Sequence, residues 1–456
     1  MRKVRFFILP VLSALLTVGA LAGDFSIRGL KLDHPDGFYR KSREIVVTGT
    51  LLKRGRSASG YKLRVNVRPE SVHLAATYDF PCNGKPFRVS YTGEQPGWVY
   101  FTFQVIGPDG KVVMEPGAKV VQRIKKDIVG EIGVMIAPED IRPADECPAD
   151  FDEFWEKEIA KLNAVPMNPR LEKIDSGKEG IDLYTVKLDA GVSQPVTGYL
   201  AVPTGAKDKG FPIFLTFLSG VVGDANRNEA IGAAEHGAVA MITTWHGFDV
   251  NRDPKYYKEN CGRIQAWKTA EGGRDAFYYR EMYIRALRAA QYLKTRPEWN
   301  GKDFMVLGGS LAGAQTAAVA AFDPQVTIAF IHTTSLCGYN ADLAGRKRSL
   351  PFHWIKDSQM TPKMRKAVPY YDVVHLASRI RCESFFCTAF ADEICTPSNV
   401  YSAYNNLPVS TKKHMFTNPR TGHYGTTIDY DARRRWNEFF ETYWGPKGFR
   451  NFNLKK

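Results

Sequence analysis

What this sequence lacks excludes several protein classes. It has no low-complexity tract and no internal repeat, so a repeat architecture is not indicated. After residue 22, no stretch is long and apolar enough to span a membrane. It also carries no nucleic-acid-binding motif. We therefore interpret the excess of 62 basic over 48 acidic residues as a solvated surface, with affinity for acidic polymers as the alternative.

Cysteine is scarce and is not arranged for metal binding. The seven cysteines include no CxxC pair and no zinc-ligand spacing, so no metal site is predicted. Their odd number leaves at least one thiol free, and a disulfide between some pair stays open. Cys382 and Cys387 lie in apolar, strand-like segments, where the expected role is that of a small buried hydrophobe.

The N-terminus has the pattern of a secretory signal peptide. A positively charged start precedes an apolar core over residues 6–16, and the Ala-Leu-Ala of residues 20–22 fits a cleavage site. The apolar core is too short for a transmembrane anchor, which needs about 20 apolar residues. We expect residues 1–22 to be removed and the protein to be exported, to the periplasm or the extracellular space.

Residues 23–130 are expected to form a small β-sandwich domain of the immunoglobulin-like type. Short segments there alternate apolar and polar residues and are separated by Gly, Pro, Asn and Asp, as in sandwich folds. The clearest segments are REIVVTGTLL (43–52), YKLRVNVRP (61–69), PFRVSYTG (86–93) and GWVYFTFQVIG (97–107). No platform of exposed aromatic residues is evident, so packing or spacing is favoured over sugar binding. Residues 131–149 contain three prolines and are assigned to a linker.

Residues 150–456 are expected to form a larger α/β domain. It begins at an amphipathic helix, DFDEFWEKEIAKL (150–162), and strand-like and helical segments alternate from residue 180 onward. FPIFLTFLSG (211–220) and AVAMITTW (238–245) are continuous apolar runs, which are typical of strands buried on both faces. The alternation predicts a mostly parallel, doubly wound sheet.

The segment 303–326 carries the pattern of a nucleophile elbow. A short apolar strand (304–307) leads through Gly-Gly-Ser-Leu-Ala-Gly (308–313) into an Ala-rich helix. In α/β-hydrolases, a serine at such a sharp strand-to-helix turn is the nucleophile. The turn strains the backbone, so the residues two before and two after the serine must be small, as Gly308 and Ala312 are. A strict G-x-S-x-G motif would have Gly at 312. The context predicts Ser310 as the nucleophile of an α/β-hydrolase.

A serine nucleophile needs an acid and a histidine, which follow it in that order in this fold. Asp392 lies at the end of the strand-like segment 383–393, and His423 lies on a loop before the last predicted helix. Both positions follow strands, where catalytic groups gather in such sheets. Glu393 is an alternative acid. The remaining candidates lie within predicted strands or before the acid: His332, His353, His375 and His414.

An oxyanion hole requires two N–H donors. One is expected from the backbone of Leu311, the residue after the nucleophile. The other is expected from the loop after the apolar run that begins at residue 211, where Gly220 is the candidate.

These residues resemble those of the acetyl xylan esterase and cephalosporin C deacetylase family, carbohydrate esterase family seven. The resemblance covers about residues 145–445 and is most specific in the stretch D-x-x-C-x-P-S-x-V-x-x-A-Y-N that starts at Asp392. It implies a triad of Ser310, Asp392 and His423, removal of acetyl groups from xylan fragments and other small esters without metal or cofactor, and a homo-oligomer, often a hexamer. The matching segments are PADFDEFW (148–155), GGSLAG (308–313), FDPQV (322–326) and ADEICTPSNVYSAYN (391–405).

Three segments depart from the family pattern and concern the substrate pockets. Leu311 and Ala312 stand where Gln and Gly are usual, the R-G-Q stretch is replaced around residues 244–247, and the glycine-rich turn with an aromatic becomes residues 219–223. The N-terminal β domain is an addition to the family architecture that could block the usual oligomer. The triad survives these changes, whereas the substrate's identity stays open.

The sequence therefore predicts an exported serine esterase that removes acetyl groups from xylan or a related plant polysaccharide or oligosaccharide. One alternative is an esterase for another ester, such as a uronate ester or a small-molecule acetyl ester. A second is a non-catalytic glycan-binding protein on a hydrolase scaffold. Such a degraded scaffold would usually lose a triad member, and none is missing here.

Overall fold

The computed structural model describes residues 24–114, 127–261 and 264–423. The predicted signal peptide (1–22) and the end of the predicted hydrolase domain (424–456) lie outside the described residues. No helix in the described part of the chain is both long and apolar enough to cross a bilayer.

The N-terminal region folds into two sheets, as the alternating segments predict. One sheet has the antiparallel order β1-β3-β6, and the other has the order β2-β8-β7-β4-β5. Alternate side chains such as Ile45 and Val47 of β3 and Phe101 and Phe103 of β7 fill a common buried core. The strands are β1 (Phe25–Leu32), β2 (Phe38–Tyr39), β3 (Glu44–Lys53), β4 (Lys62–Pro69), β5 (Ala76–Pro81), β6 (Phe87–Thr92), β7 (Gly97–Ile106) and β8 (Gly130–Ile136).

Strand β8 includes residues 131–136, which the sequence places in a linker. It pairs antiparallel with β7 and parallel with the short β2. Because residues 132–136 are all buried, the strand shows an apolar run rather than the alternation that marks the other N-terminal strands. Ile132, Val134 and Ile136 face the sandwich core, whereas Met135 packs in a separate cluster with residues of the second domain.

The second domain is built on a nine-stranded sheet with the order β17-β16-β15-β14-β12-β13-β11-β10-β9. The pairings from β17 to β13 are all parallel, and those among β13, β11, β10 and β9 are antiparallel. The strands are β9 (Arg170–Ile174), β10 (Ile181–Leu188), β11 (Val196–Pro203), β12 (Phe211–Phe217), β13 (Val239–Thr243), β14 (Trp299–Gly309), β15 (Ile328–His332), β16 (Glu383–Ala389) and β17 (Lys413–Asn418).

Helices cover both faces of this sheet, which confirms the predicted doubly wound α/β-hydrolase architecture. Helices α1, α5 and α6 pack in the larger core, and α2 packs in a separate core on the opposite face. The helices are α1 (Phe151–Asn163), α2 (Arg227–Glu235), α3 (Pro254–Asn260), α4 (Ala266–Thr269), α5 (Tyr278–Lys294), α6 (Leu311–Phe322), α7 (Pro362–Ala367), α8 (Val373–Ala377) and α9 (Pro397–Asn405).

The sheet order decides where the predicted functional residues meet. Strand β14, which ends at the predicted elbow, lies inside the sheet between β12 and β15. Strands β16 and β17, which precede Asp392 and His423, are the last two strands at one edge of the sheet. Since these strands are parallel, their carboxyl ends lie on the same side as the elbow. All seven cysteines lie within the described residues, and none forms a disulfide.

Candidate active site

Ser310 occupies a strained turn between β14 and α6. Its backbone has φ 56° and ψ −121°, a conformation that residues other than glycine seldom adopt. A Cβ built on Gly308 would lie 2.3 Å from the carbonyl oxygen of Ala312, which explains why only glycine fits there. The alanine at 312 is tolerated, whereas a Cβ on Gly313 would lie 3.0 Å from Thr334. Gly313, which stands one position after the second glycine of the strict motif, therefore allows α6 to pack closely against Thr334.

Asp392 lies three residues beyond β16 and is completely buried. Its Oδ1 accepts hydrogen bonds from the backbone N–H groups of Ile394 (2.8 Å) and Cys395 (2.9 Å). Its Oδ2 faces Nδ1 of His423 at 2.8 Å. The carboxylate is therefore fixed by the turn that follows it, and one oxygen is left for the histidine.

His423 bridges the other two predicted residues. Its Nε2 lies 3.1 Å from Oγ of Ser310, while its Nδ1 donates to Asp392. Burial lowers the pKa of His423, but the charge and hydrogen bond of Asp392 raise it more, so this pKa lies above 6.5. The neutral imidazole in this arrangement can accept the hydroxyl proton of Ser310.

The alternative residues named from the sequence have other partners. Glu393 accepts a hydrogen bond on Oε1 from the hydroxyl of Ser71, at 2.9 Å, and its backbone carbonyl accepts one from Lys347. His332 lies beside the elbow on β15, where burial lowers its pKa to about 4. His414 is bonded to Glu383 on β16. The hydrogen-bond chain to Ser310 thus runs through His423 and Asp392.

The two predicted oxyanion residues lie next to each other. Leu311 begins α6, so its N–H belongs to the first turn and has no acceptor within the helix. A Cβ built on Gly220 would lie 3.6 Å from the Cβ of Leu311. Both residues flank the end of α6 that carries partial positive charge, which favours a developing oxyanion.

Two residues that sequence reasoning noted only as a departure from the family hold the Gly220 loop. Trp245 Nε1 donates to the carbonyl of Val221 at 3.0 Å, and His246 Nε2 lies 3.1 Å from that of Gly223. The N–H of Phe248 donates to Nδ1 of His246, so the Nε2 atom carries the proton. Burial lowers the pKa of His246 to about 4, which keeps the ring neutral. Their position directly after β13 was the available signal.

Cys395 also lies at the site, a position for which the sequence suggested no role. Burial raises the pKa of its thiol well above 9, although a hydrogen bond with Ser310 acts to lower this pKa. Ligand atoms of Asp392, Cys395 and His423 all lie within 4.8 Å of one another. Carboxylate, thiolate and imidazole are ligands that Zn²⁺ accepts. An ion held there would compete for the atoms of Asp392 and His423 that form the hydrogen-bond chain to Ser310.

Comparison with solved structures supports the fold. The acetyl xylan esterase from Paenibacillus sp. R4 is 21% identical with a TM-score of 0.55 and aligns over 67% of this chain and 98% of its own. Acetyl Xylan Esterase 1 from Thermoanaerobacterium sp. JW/SL YS485 is 20% identical with a TM-score of 0.57 and has the same coverage. At these identities the likeness concerns the fold.

Sequence comparison extends over nearly the whole chain. The acetyl esterase Axe7A of Xylanibacter ruminicola is 24% identical over 454 residues, which is 96% of this chain and 96% of the relative. The family model described as Acetyl xylan esterase (AXE1) matches residues 138–438, about two thirds of the chain and the part that contains Ser310, Asp392 and His423. The chain therefore belongs to the acetyl xylan esterase family and is a carboxylic ester hydrolase with a serine-hydrolase fold.

Proposed function

We propose that this protein is an exported serine carbohydrate esterase that removes acetyl groups from xylan or a related plant polysaccharide or oligosaccharide. In the proposal Ser310 is the nucleophile, His423 the general base and Asp392 the residue that orients the imidazole. The observation that carries it is the hydrogen-bond chain Asp392–His423–Ser310, at 2.8 and 3.1 Å, in a chain of the acetyl xylan esterase family.

The geometry supports a two-step acyl transfer. Ser310 attacks the acetyl carbonyl as Nε2 of His423 takes its proton, and the same imidazole then protonates the departing sugar oxygen. Asp392 stabilises the imidazolium that forms in between. The backbone N–H groups of Leu311 and Gly220 are proposed to bind the oxyanion. Water, activated by His423, then releases acetate from Ser310, and no metal or cofactor is needed.

Product analysis tests the proposed polymer. We expect the purified chain without residues 1–22 to release acetate from acetylated xylan, with acetylated pectin and acetylated mannan run in parallel. A Ser310→Ala sample provides the background.

Release only from pectin or mannan would move the substrate to another polysaccharide. Absence of release from all three, with Ser310 reactive toward a fluorophosphonate probe, would favour a uronate ester. Absence of both would favour a glycan-binding protein. Fractionation of the native host would test the export.

The acyl specificity should favour two-carbon groups. Leu311 directly follows the nucleophile, its side chain is 8% exposed, and it lies against the Gly220 loop, so the space beside the oxyanion donors is narrow. Each methylene is worth about 1–3 kcal/mol in such a pocket, so discrimination should be graded. We expect kcat/KM at least about tenfold higher for 4-nitrophenyl acetate than for the butyrate. Equal or higher values for the butyrate would indicate a lipase-like acyl pocket.

A further inference from the structure

The loops that bear Asp392 and His423 lie at an edge of the sheet. Strand β17, which precedes His423, pairs with β16 on one side, and no other strand of the described residues pairs with it. Beyond the end of β16, the backbone N–H of Phe390 donates to the backbone carbonyl of Asn418 at 2.7 Å. The backbone N–H of Ala391 donates to the backbone carbonyl of Thr421 at 3.0 Å. These bonds tie the two loops to each other.

The N-terminal domain supplies a hydrogen bond to each of these loops. Trp98 of β7 donates its indole Nε1–H to the carbonyl of Phe390, at 2.5 Å. Gly133 of β8 donates its backbone N–H to the carbonyl of Pro419, at 2.9 Å. Phe390 is two residues from Asp392, and Pro419 is four residues from His423. The domain thus contacts the loop of the acid through a side-chain N–H and the loop of the base through a backbone N–H.

The surroundings of these bonds are packed like a core. One buried cluster joins the two domains, and its members are Trp98, Tyr100, Met135, Ile141, Phe390, Ala391 and Tyr401. Contacts between domains allow relative motion unless the interface is hydrophobic and extensive. Here Trp98 and Phe390 are both almost completely buried, so the hydrogen bond between them is shielded from solvent.

The approach of the two domains depends on glycine at position 133. A Cβ built there would lie 1.6 Å from the carbonyl oxygen of Phe390, a distance that no side chain can occupy. A further contact lies on the other side of β7, where Glu70 follows the end of β4. The hydroxyl of Ser398, in helix α9 after the acid loop, donates a hydrogen bond to Oε1 of Glu70 at 2.6 Å. The contact therefore extends from the base loop to α9.

We propose that the N-terminal β domain positions the acid and the base of the active site, with Trp98 and Gly133 as its positioning residues. The inference rests on the proposed function of Ser310, Asp392 and His423. The domain fixes the two edge loops against each other, so that the imidazole stays aligned between the buried carboxylate and the serine hydroxyl. Removal of these contacts would leave the three residues in place in the chain but poorly aligned.

Two substitutions in the same strand test this directly. Gly133→Ala places a methyl group against Phe390, whereas Gly130→Ala places one at ordinary contact distance, 3.4 Å from Ile27 of the same domain. We expect Gly133→Ala to lower kcat for 4-nitrophenyl acetate about a hundredfold with little change in KM, since a shift of about 1 Å can cost that much. Gly130→Ala should stay within about twofold.

The pH dependence separates alignment from folding. The acid limb of kcat/KM reports the pKa of the base in the free enzyme. Asp392 raises the pKa of His423, so a looser pair should move this limb to lower pH. A variant that is only less stable would lose rate equally at all pH values without moving the limb. Thermal unfolding measures the folded fraction of each sample.

A second variant covers the case in which Gly133→Ala fails to fold. Trp98→Phe keeps an aromatic ring in the buried cluster but removes the N–H donor to Phe390 and part of the buried ring system. We expect a loss of about tenfold in kcat and in the rate of Ser310 labelling by a fluorophosphonate, with the same shift of the acid limb. Wild-type rates and an unmoved limb in the folded variants would overturn the positioning role. Failure of the wild-type protein to label at Ser310 would instead overturn the proposed function.

Discussion

Ser310→Ala is expected to abolish nearly all esterase activity while the protein folds normally. The change removes only a hydroxyl, and the Cβ of alanine fits wherever that of serine fits, so the strained turn at φ 56° is kept. Removal of the nucleophile in serine hydrolases lowers turnover by roughly 10⁴- to 10⁶-fold. The measurement is kcat on 4-nitrophenyl acetate, together with thermal unfolding to show that the fold is unchanged.

Ser335→Ala is a matched control for this experiment. Ser335 is buried close to the nucleophile, and its backbone N–H donates to the carbonyl of Ser310 at 3.0 Å. Its hydroxyl has no hydrogen-bond partner within the described residues, so its removal should change turnover by less than about twofold. If Ser310→Ala retained wild-type rates on this ester, the serine mechanism would be wrong.

The parts of the fold that local sequence determines were predictable. Alternating residues in β3 and the continuous apolar run of β12 each match a strand because burial on one face or both sets the pattern. Ser310 was recognisable because the elbow needs small residues at fixed offsets. Asp392 and His423 followed from chain order, since successive parallel strands deliver their carboxyl ends to one side of the sheet.

The contacts between distant segments could not be read in the same way. In the structure, Gly133 matters because it has no side chain at the point where the backbone of Phe390 approaches. In the sequence, a single glycine does not reveal which distant residue lies next to it. The position of Trp245 and His246 after β13 is a signal, but residue type does not reveal which backbone carbonyls of the Gly220 loop they contact. Residues 131–149 were assigned to a linker because of their prolines. Strand β8 was not recognised there because both of its faces are buried, one in the sandwich core and one in the cluster with the second domain, so its residues do not alternate.

Asp392→Asn is expected to lower kcat by about 10⁴-fold, the loss that the same change causes in a serine protease triad. In the variant, the amide oxygen can take the place of Oδ1 and accept the hydrogen bonds from the backbone N–H groups of Ile394 and Cys395. The amide nitrogen would then face Nδ1 of His423. Two donors cannot bond to each other. The imidazole would then carry its proton on Nε2 and could no longer accept the proton of Ser310.

The adjacent carboxylate provides the matched comparison. Glu393→Gln keeps a carbonyl oxygen that can accept the hydroxyl of Ser71, and the Asp392–His423 bond is left intact. Its effect on kcat should therefore be far smaller than that of Asp392→Asn, measured on the same ester at the same pH. The reverse order of effects would assign the acid to Glu393. The two changes are equivalent in chemistry, because each replaces a carboxylate with its amide, one residue apart. The comparison is decisive because, of the two carboxylates, only that of Asp392 contacts Nδ1 of His423, the nitrogen whose protonation decides the tautomer.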